Sequence, residues 1–292
     1  MSGKNRIGIG AMLLTSCLLA SGATALAQSS QSPASQAPAS APAAQKPENP
    51  GSTLEIPVAQ PPVNAEEDAE FKAFTAMPES EIEKRISAGE DFLKKYPEGR
   101  YRPIVYSALA FAYLQAGKAD KAFEIGDKEV ALHPDDVQIL ALLSQAIPRA
   151  LNAKTPEPDN QLTKAEGYAK RAIELTPTMA KPEGLADQNF IAAKNSALSM
   201  AHSGLGVVYF RRGKFKEAIP ELELSLKMDP YPTPDPVNLY LLGVSDQKAA
   251  HYDDAVIAFS KCAAINNATQ AACKSGAEEA KKQGATQLSS PK

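Results

Sequence analysis

Residues 205–218, LGVVYFRRGKFKEA, repeat the punctuation of residues 109–122, LAFAYLQAGKADKA. Leu109 and Leu205, Tyr113 and Tyr209, Gly117 and Gly213, and Ala122 and Ala218 are each 96 residues apart. A chain that rewrites one spacing of bulky, turn-forming and small residues is built from a repeated supersecondary unit, and each unit buries its apolar edge only against the next. Trp is absent and aromatic residues make up 6% of the chain. That balance favours helices packed through small side chains over sheets made of aromatic and β-branched residues.

Aligned along the chain, the punctuation resembles the 34-residue tetratricopeptide repeat in four places. The clearest copy begins at Ser199, with Leu205, Gly206, Tyr209, Gly213, Ala218, Leu222 and Pro230 on pattern positions. The copy from Pro103 has Tyr106, Leu109, Ala110, Tyr113, Gly117, Ala122 and Pro134, but departs at Gly126 and Glu129, which questions the packing of its second helix. A copy from Val137 offers Leu140 and Leu143, then Ala165, Ala169, Ala172 and Pro177, with the loop NAKTPEPDN between. The copy from Pro236 has Leu239, Leu242, Gly243, Ala255 and Phe259, with Asp246 in place of Tyr, Cys262 in place of Ala and Asn267 in place of Pro. The small residues recurring as Ala122, Ala165, Ala218 and Ala255 are 43, 53 and 37 apart, and the excess over one repeat falls in that loop, in residues 180–198 and in YPTPDP.

The resemblance implies an all-α fold: a helix-turn-helix repeat solenoid, a right-handed superhelix of hairpins. The repeats fall at about 103–136, 137–179, 187–232 and 236–269; helical signals from Asn64 add a helical pair at 64–97, and the chain is expected to end in a capping helix at 269–283 and a disordered tail at 284–292. Pro78 is expected to open the second helix of the first pair, which closes before Pro97. Within 180–198, Asp187 reads as an N-cap, and Phe190, Ala193, Ala197, Ala201 and Leu205 continue one face of a long helix over 187–212. Such a helix either projects toward a partner or covers the loop of the preceding repeat.

Residues 1–27 begin with Lys4 and Arg6, run apolar from Ile7 to Ala20 and end in ALA, the order of a secretory signal cleaved before Gln28. The run of about 14 apolar residues is shorter than the roughly 20 a spanning helix needs. LTSC at 14–17 also resembles the lipobox of bacterial lipoproteins, and lipid on Cys17 would tether the chain to a membrane. Leu18 and Leu19 continue the apolar run past that cysteine and favour the ordinary signal, hence a periplasmic or secreted protein. Residues 28–63, crowded with Pro, Ala, Ser and Gln, lack the apolar surface to offset ordering entropy and read as a disordered linker. The formal charge is −3, and about −5 once Lys4 and Arg6 are removed, which argues against nucleic acid as a partner.

His133, His202 and His251 are far apart, and no phosphate-cradling glycine loop, HExxH or CxxC is present. The chain therefore reads as non-enzymatic, with no cofactor and no metal site. After signal removal, Cys262 and Cys273 remain, an even pair in an exported protein and centred on the turn NNAT. A disulfide between them would staple the final helix; the alternative is two buried thiols.

The resemblance also implies a concave groove lined by the first helix of each repeat, where a protein or peptide partner would bind. Carried over, it gives Ile104, Ser107, Phe111, Leu114 and Gln115 in one copy, Met200, Ser203, Val207, Phe210 and Arg211 in another, and Val237, Tyr240, Val244, Gln247 and Lys248 in the last. Arg149, Arg211 and Lys248 share one position of successive repeats, so a cationic ladder for an acidic peptide or a terminal carboxylate is expected there. Ser107 and Phe111 stand where the family's carboxylate clamp has Lys and Asn, so chaperone-tail binding is not implied.

Overall fold

The computed structural model describes residues 64–181 and 185–289; the expected signal, lipobox and linker lie outside them, as do residues 290–292. Among the described residues the chain forms eleven α-helices and no strand, and no helix is long and apolar enough to cross a membrane. A leading pair, α1 (Ala65–Thr75) and α2 (Ile82–Lys95), is followed by four hairpins. These are α3 (Arg102–Gln115) with α4 (Ala119–Leu132), α5 (Val137–Ala150) with α6 (Pro158–Leu175), α7 (Asp187–Arg211) with α8 (Phe215–Met228), and α9 (Pro236–Lys248) with α10 (Tyr252–Ala263). The array closes with α11 (Gln270–Ser289).

Short polar side chains start several helices by accepting free backbone N–H groups. Asn64 Oδ1 accepts from Glu66 and Glu67 at 3.0 and 3.4 Å, Asp136 Oδ1 from Gln138 and Ile139 at 2.9 and 3.2 Å, and Asp235 Oδ1 from Val237 at 2.8 Å. Three hairpins close with one and the same turn. The N–H of Lys118 donates to the carbonyl of Tyr113 at 2.8 Å, Lys214 to Tyr209 at 2.9 Å and His251 to Asp246 at 2.8 Å. The residue before each donor lies in the left-handed region: Gly117 at φ 72°, Gly213 at 71° and Ala250 at 64°. Glycine takes that conformation without cost, whereas alanine is penalised by about 1–2 kcal/mol.

The largest core joins α2 to α7 through fully buried Val105, Leu109, Ile139, Leu143 and Val208. At the other end α11 docks through small residues, not large ones. Cys273, Ala277 and Ala280 are buried, and a Cβ on Gly276 of α11 or on Gly243 of α9 would each come within 2.7 Å of the Phe259 ring. Two helices thus approach one fully buried aromatic closely, where any larger side chain would overpack.

Four local expectations change. Gly126 and Glu129 do not spoil α4: a Cβ on Gly126 would meet Leu143 at 2.7 Å, so the missing side chain admits that leucine. Glu129 is fully buried beside His133 Nδ1 at 2.8 Å, and burial raises its carboxyl above the usual range. Asp187 is the first residue of α7, not its cap; Ala186 holds the cap position without a side-chain bond, while Asp187 pairs with Lys181 at 2.5 Å. Pro78 precedes α2 by a turn in which the N–H of Glu81 donates to its carbonyl at 3.0 Å. Finally, α11 runs beyond Gln283 to Ser289, with Gly284 against Tyr252.

The long α7 covers the preceding repeat. Ala197 and Ala201 are buried with Val137, Leu140, Ala141 and Ala172, and Lys194 Nζ donates to the carbonyl of Pro177 at 3.0 Å. Its first turns extend past this contact and leave Ile191 56% exposed.

Candidate partner-binding groove

A cleft of about 430 Å³ opens between α3, α5, α7 and the loop 229–236 that joins α8 to α9. Phe111, Leu142 and Met200 supply its apolar lining; Gln145, Arg149, Ser196, Ser199, Asp229 and Asp235 supply polar groups, and alternating Pro230, Pro232, Pro234 and Pro236 stiffen the loop wall. Of the residues expected in the groove, Phe111, Met200 and Arg149 line this cleft.

The other expected residues are distributed elsewhere. Leu114 and Val207 are 8% and 2% exposed and belong to the core. The reason is packing: α7 lies against α5, α6 and α8 at once, so its position at Val207 is covered by neighbours. Phe210 is half-buried edge-on to Phe215 at 5.6 Å, and Tyr240 is half-buried against Phe259 at 6.0 Å. Gln115 is half-buried, and Lys248 is exposed.

The cations of the expected ladder differ in their surroundings: Arg149 and Arg211 have separate partners, and Lys248 is exposed. Arg149 Nη2 donates to Asp235 Oδ2 at 2.6 Å, to Asn238 Oδ1 at 2.6 Å and to Ser203 Oγ at 2.8 Å. Arg211 instead donates to the carbonyl of Leu151 at 2.9 Å. The Arg149 contacts belong to a polar network beneath the cleft. Asn238, 1% exposed, accepts from Ser203 Oγ at 2.9 Å and donates to Ser225 Oγ at 2.9 Å, which in turn donates to the carbonyl of Ser199 at 2.8 Å. Buried polar groups satisfied in this way fix one relative placement of the helices that carry them. The electrostatics of the cleft follow: its single arginine is neutralised, and the wall carries two carboxylates. Burial, with Asp235 adjacent, raises the Asp229 carboxyl above its ordinary value.

Sequence reasoning missed the loop wall, although PYPTP between Asp229 and Asp235 marked a stiff, polar segment at that point. It also missed that each histidine lies beside a carboxylate. His133 is with Glu129, His202 Nδ1 is 2.7 Å from Glu221, and His251 Nδ1 is 3.7 Å from Asp246. Around His251 a third group joins: the ligand-type atoms of Asp246, His251 and Asp254 all lie within 4.8 Å of one another. The sequence reading assigned no metal site there. Cys262 and Cys273 lie at disulfide distance across the turn between α10 and α11, with Cα atoms 5.9 Å apart.

Comparison with known proteins follows the repeat. A family model described as tetratricopeptide repeat matches residues 201–232, the copy whose punctuation is clearest. Among solved structures the chain is similar to PilW, a widely conserved type IV pilus biogenesis factor, with a TM-score of 0.51 and 17% identity over 77% of this chain and 93% of that one. It is also similar to TTC0263, a thermophilic TPR protein in Thermus thermophilus, with a TM-score of 0.48 and 18% identity over 74% of this chain and 99% of that one. No curated protein sequence matches the chain.

Proposed function

We propose, from the premise that the chain is a tetratricopeptide-repeat solenoid, that it is a non-enzymatic scaffold of the bacterial cell envelope that holds a partner protein or peptide in its cleft. The observation that carries this reading is the cleft itself. Its apolar floor of Phe111, Leu142 and Met200 lies beside a rim of Asp229, Asp235 and backbone, the combination that seats an apolar side chain and orients the main chain around it. With Arg149 already paired, the partner favoured is one that inserts an apolar residue, in place of the acidic tail that a cationic ladder would have suited.

Capture from envelope extract tests the reading. The Phe111→Ala, Met200→Ala double variant is expected to lose most of the bound protein that wild type retains, while Lys248→Ala retains it. Recovery unchanged in the double variant, with its helical spectrum intact, overturns the cleft as the binding site.

The envelope location rests on residues 1–27, and its test is the N-terminus of the exported chain. Gln28 as the first residue supports a soluble periplasmic or secreted protein. A lipid-bearing Cys17 establishes the alternative, a membrane-tethered structural or assembly factor at the outer membrane.

A further inference from the structure

The three identical turns bring three positions together in each hairpin: the helix residue whose carbonyl closes the turn, the donor five residues on, and the residue three beyond that. In the first hairpin these are Tyr113, Lys118 and Lys121, with the Lys121 ammonium 5.4 Å from the Tyr113 ring. In the α7–α8 hairpin they are Tyr209, Lys214 and Glu217. In the α9–α10 hairpin all three differ at once and become Asp246, His251 and Asp254, each a metal-ligand type.

Asp246 is the unusual member. Its side chain is 4% exposed, where its counterparts are aromatic. Its ion pair among the described residues is with His251, whose Nδ1 lies 3.7 Å from its carboxylate. Further negative charge surrounds it: Asp254 from α10 and Glu223 from α8 line the same groove, of about 280 Å³. Lys261 also lines the groove but forms no ion pair among the described residues. A buried carboxylate facing an imidazole and a second carboxylate is an arrangement that a bound cation would neutralise.

We infer that Asp246, His251 and Asp254 form a divalent metal site of the zinc class. One imidazole nitrogen and two carboxylates suit a borderline cation better than calcium or magnesium, which favour all-oxygen shells. Bonds of about 2.0–2.1 Å bring tetrahedral ligands to about 3.4 Å from one another. The present spacing, within 4.8 Å, closes by rotation of His251 and Asp254, both exposed. The backbone already positions His251, because its N–H is held by the Asp246 carbonyl. Three protein ligands leave a fourth position open to water or to a partner's side chain.

Calorimetric titration of the untagged, metal-stripped chain with zinc tests this site, with far-UV circular dichroism confirming that each variant is folded. One equivalent is expected to bind and to raise the melting temperature. Asp246→Asn and His251→Ala should each weaken binding by about tenfold or more, judged against the loss that disturbing even supporting groups causes. His202→Ala, which removes a histidine paired with one carboxylate, should bind as wild type does. Absence of saturable zinc binding overturns the site, as does equal affinity in wild type and His251→Ala, or tighter binding of calcium than zinc.

Discussion

Asp246 holds the place that Tyr113 and Tyr209 fill in two sister hairpins, and the exchange of an aromatic for a buried carboxylate has a measurable signature. Its carboxyl is raised from the usual 3.8 to about 6 in the folded chain. As pH rises above about 4, the unfolded chain gives up this proton while the fold still holds it, so the folded state loses stability until about pH 6. At about 1.4 kcal/mol per unit, the loss amounts to about 1–3 kcal/mol. Urea unfolding in chelator at pH 4 to 7 should therefore show Asp246→Asn equal to wild type at pH 4 and more stable by that amount at pH 7. Glu129, Asp136 and Asp229 are raised by burial as well and slope in the same direction, so the difference between the two proteins carries the measurement. A constant difference across the range would show that Asp246 ionises freely. Sequence reading registered Asp246 as a missing tyrosine but could not see its environment, because Glu223 reaches it only through the packing of α8 on α9.

At the scale of elements, the repeat punctuation located helices α3 to α10 because it specifies where small residues admit a neighbouring helix and where a turn needs a positive φ. It carries no such rule for the terminal helix. Residues 269–283 lack large apolar residues and read as a weak cap, yet Gly276 sits closely on Phe259, with Ala277 and Ala280 buried in the same cluster. Small residues bury little area, about 25 cal/mol for each Å² of apolar surface, so α11 depends on other restraints more than its neighbours do. Cys262 and Cys273, at disulfide distance, would close a loop of sequence separation 11 at the point where α11 leaves α10. Replacing both cysteines by alanine is expected to cost about 2–3 kcal/mol. Hydrogen exchange should locate the loss: protection in 270–285 falls in the variant or under reductant, while α3 to α6 keep theirs. Uniform loss along the chain would mean that α11 is part of one cooperative unit with the rest.

For the whole molecule, the question is what makes separate hairpins one body. In a repeat array each unit contacts its neighbours, and stability is close to a sum of local terms. Arg149 breaks that locality: from the end of α5 it bonds to Asp235 and Asn238, 86 and 89 residues on, and to Ser203 of α7 between them. No periodic rule could have revealed this, since the same repeat position holds Arg211 and Lys248, which take other roles. It also explains why the cleft was the least legible part of the sequence: its wall and its charge balance depend on a pairing between the second and fourth hairpins. Arg149→Met keeps much of the stem but removes the fork. Asp235 and buried Asn238 then lose a partner, at a cost of about 2–3 kcal/mol, below the full value for a wholly buried pair because both charged groups retain some exposure. If Arg149 holds the cleft closed, protease cleavage in the loop 229–236 should accelerate in Arg149→Met under native conditions, and the double variant Arg149→Met, Asp235→Asn should recover part of the stability. Slower unfolding of the single variant, or a loop as resistant as in wild type, would show that Arg149 does not hold the cleft closed and that the other contacts between hairpins suffice.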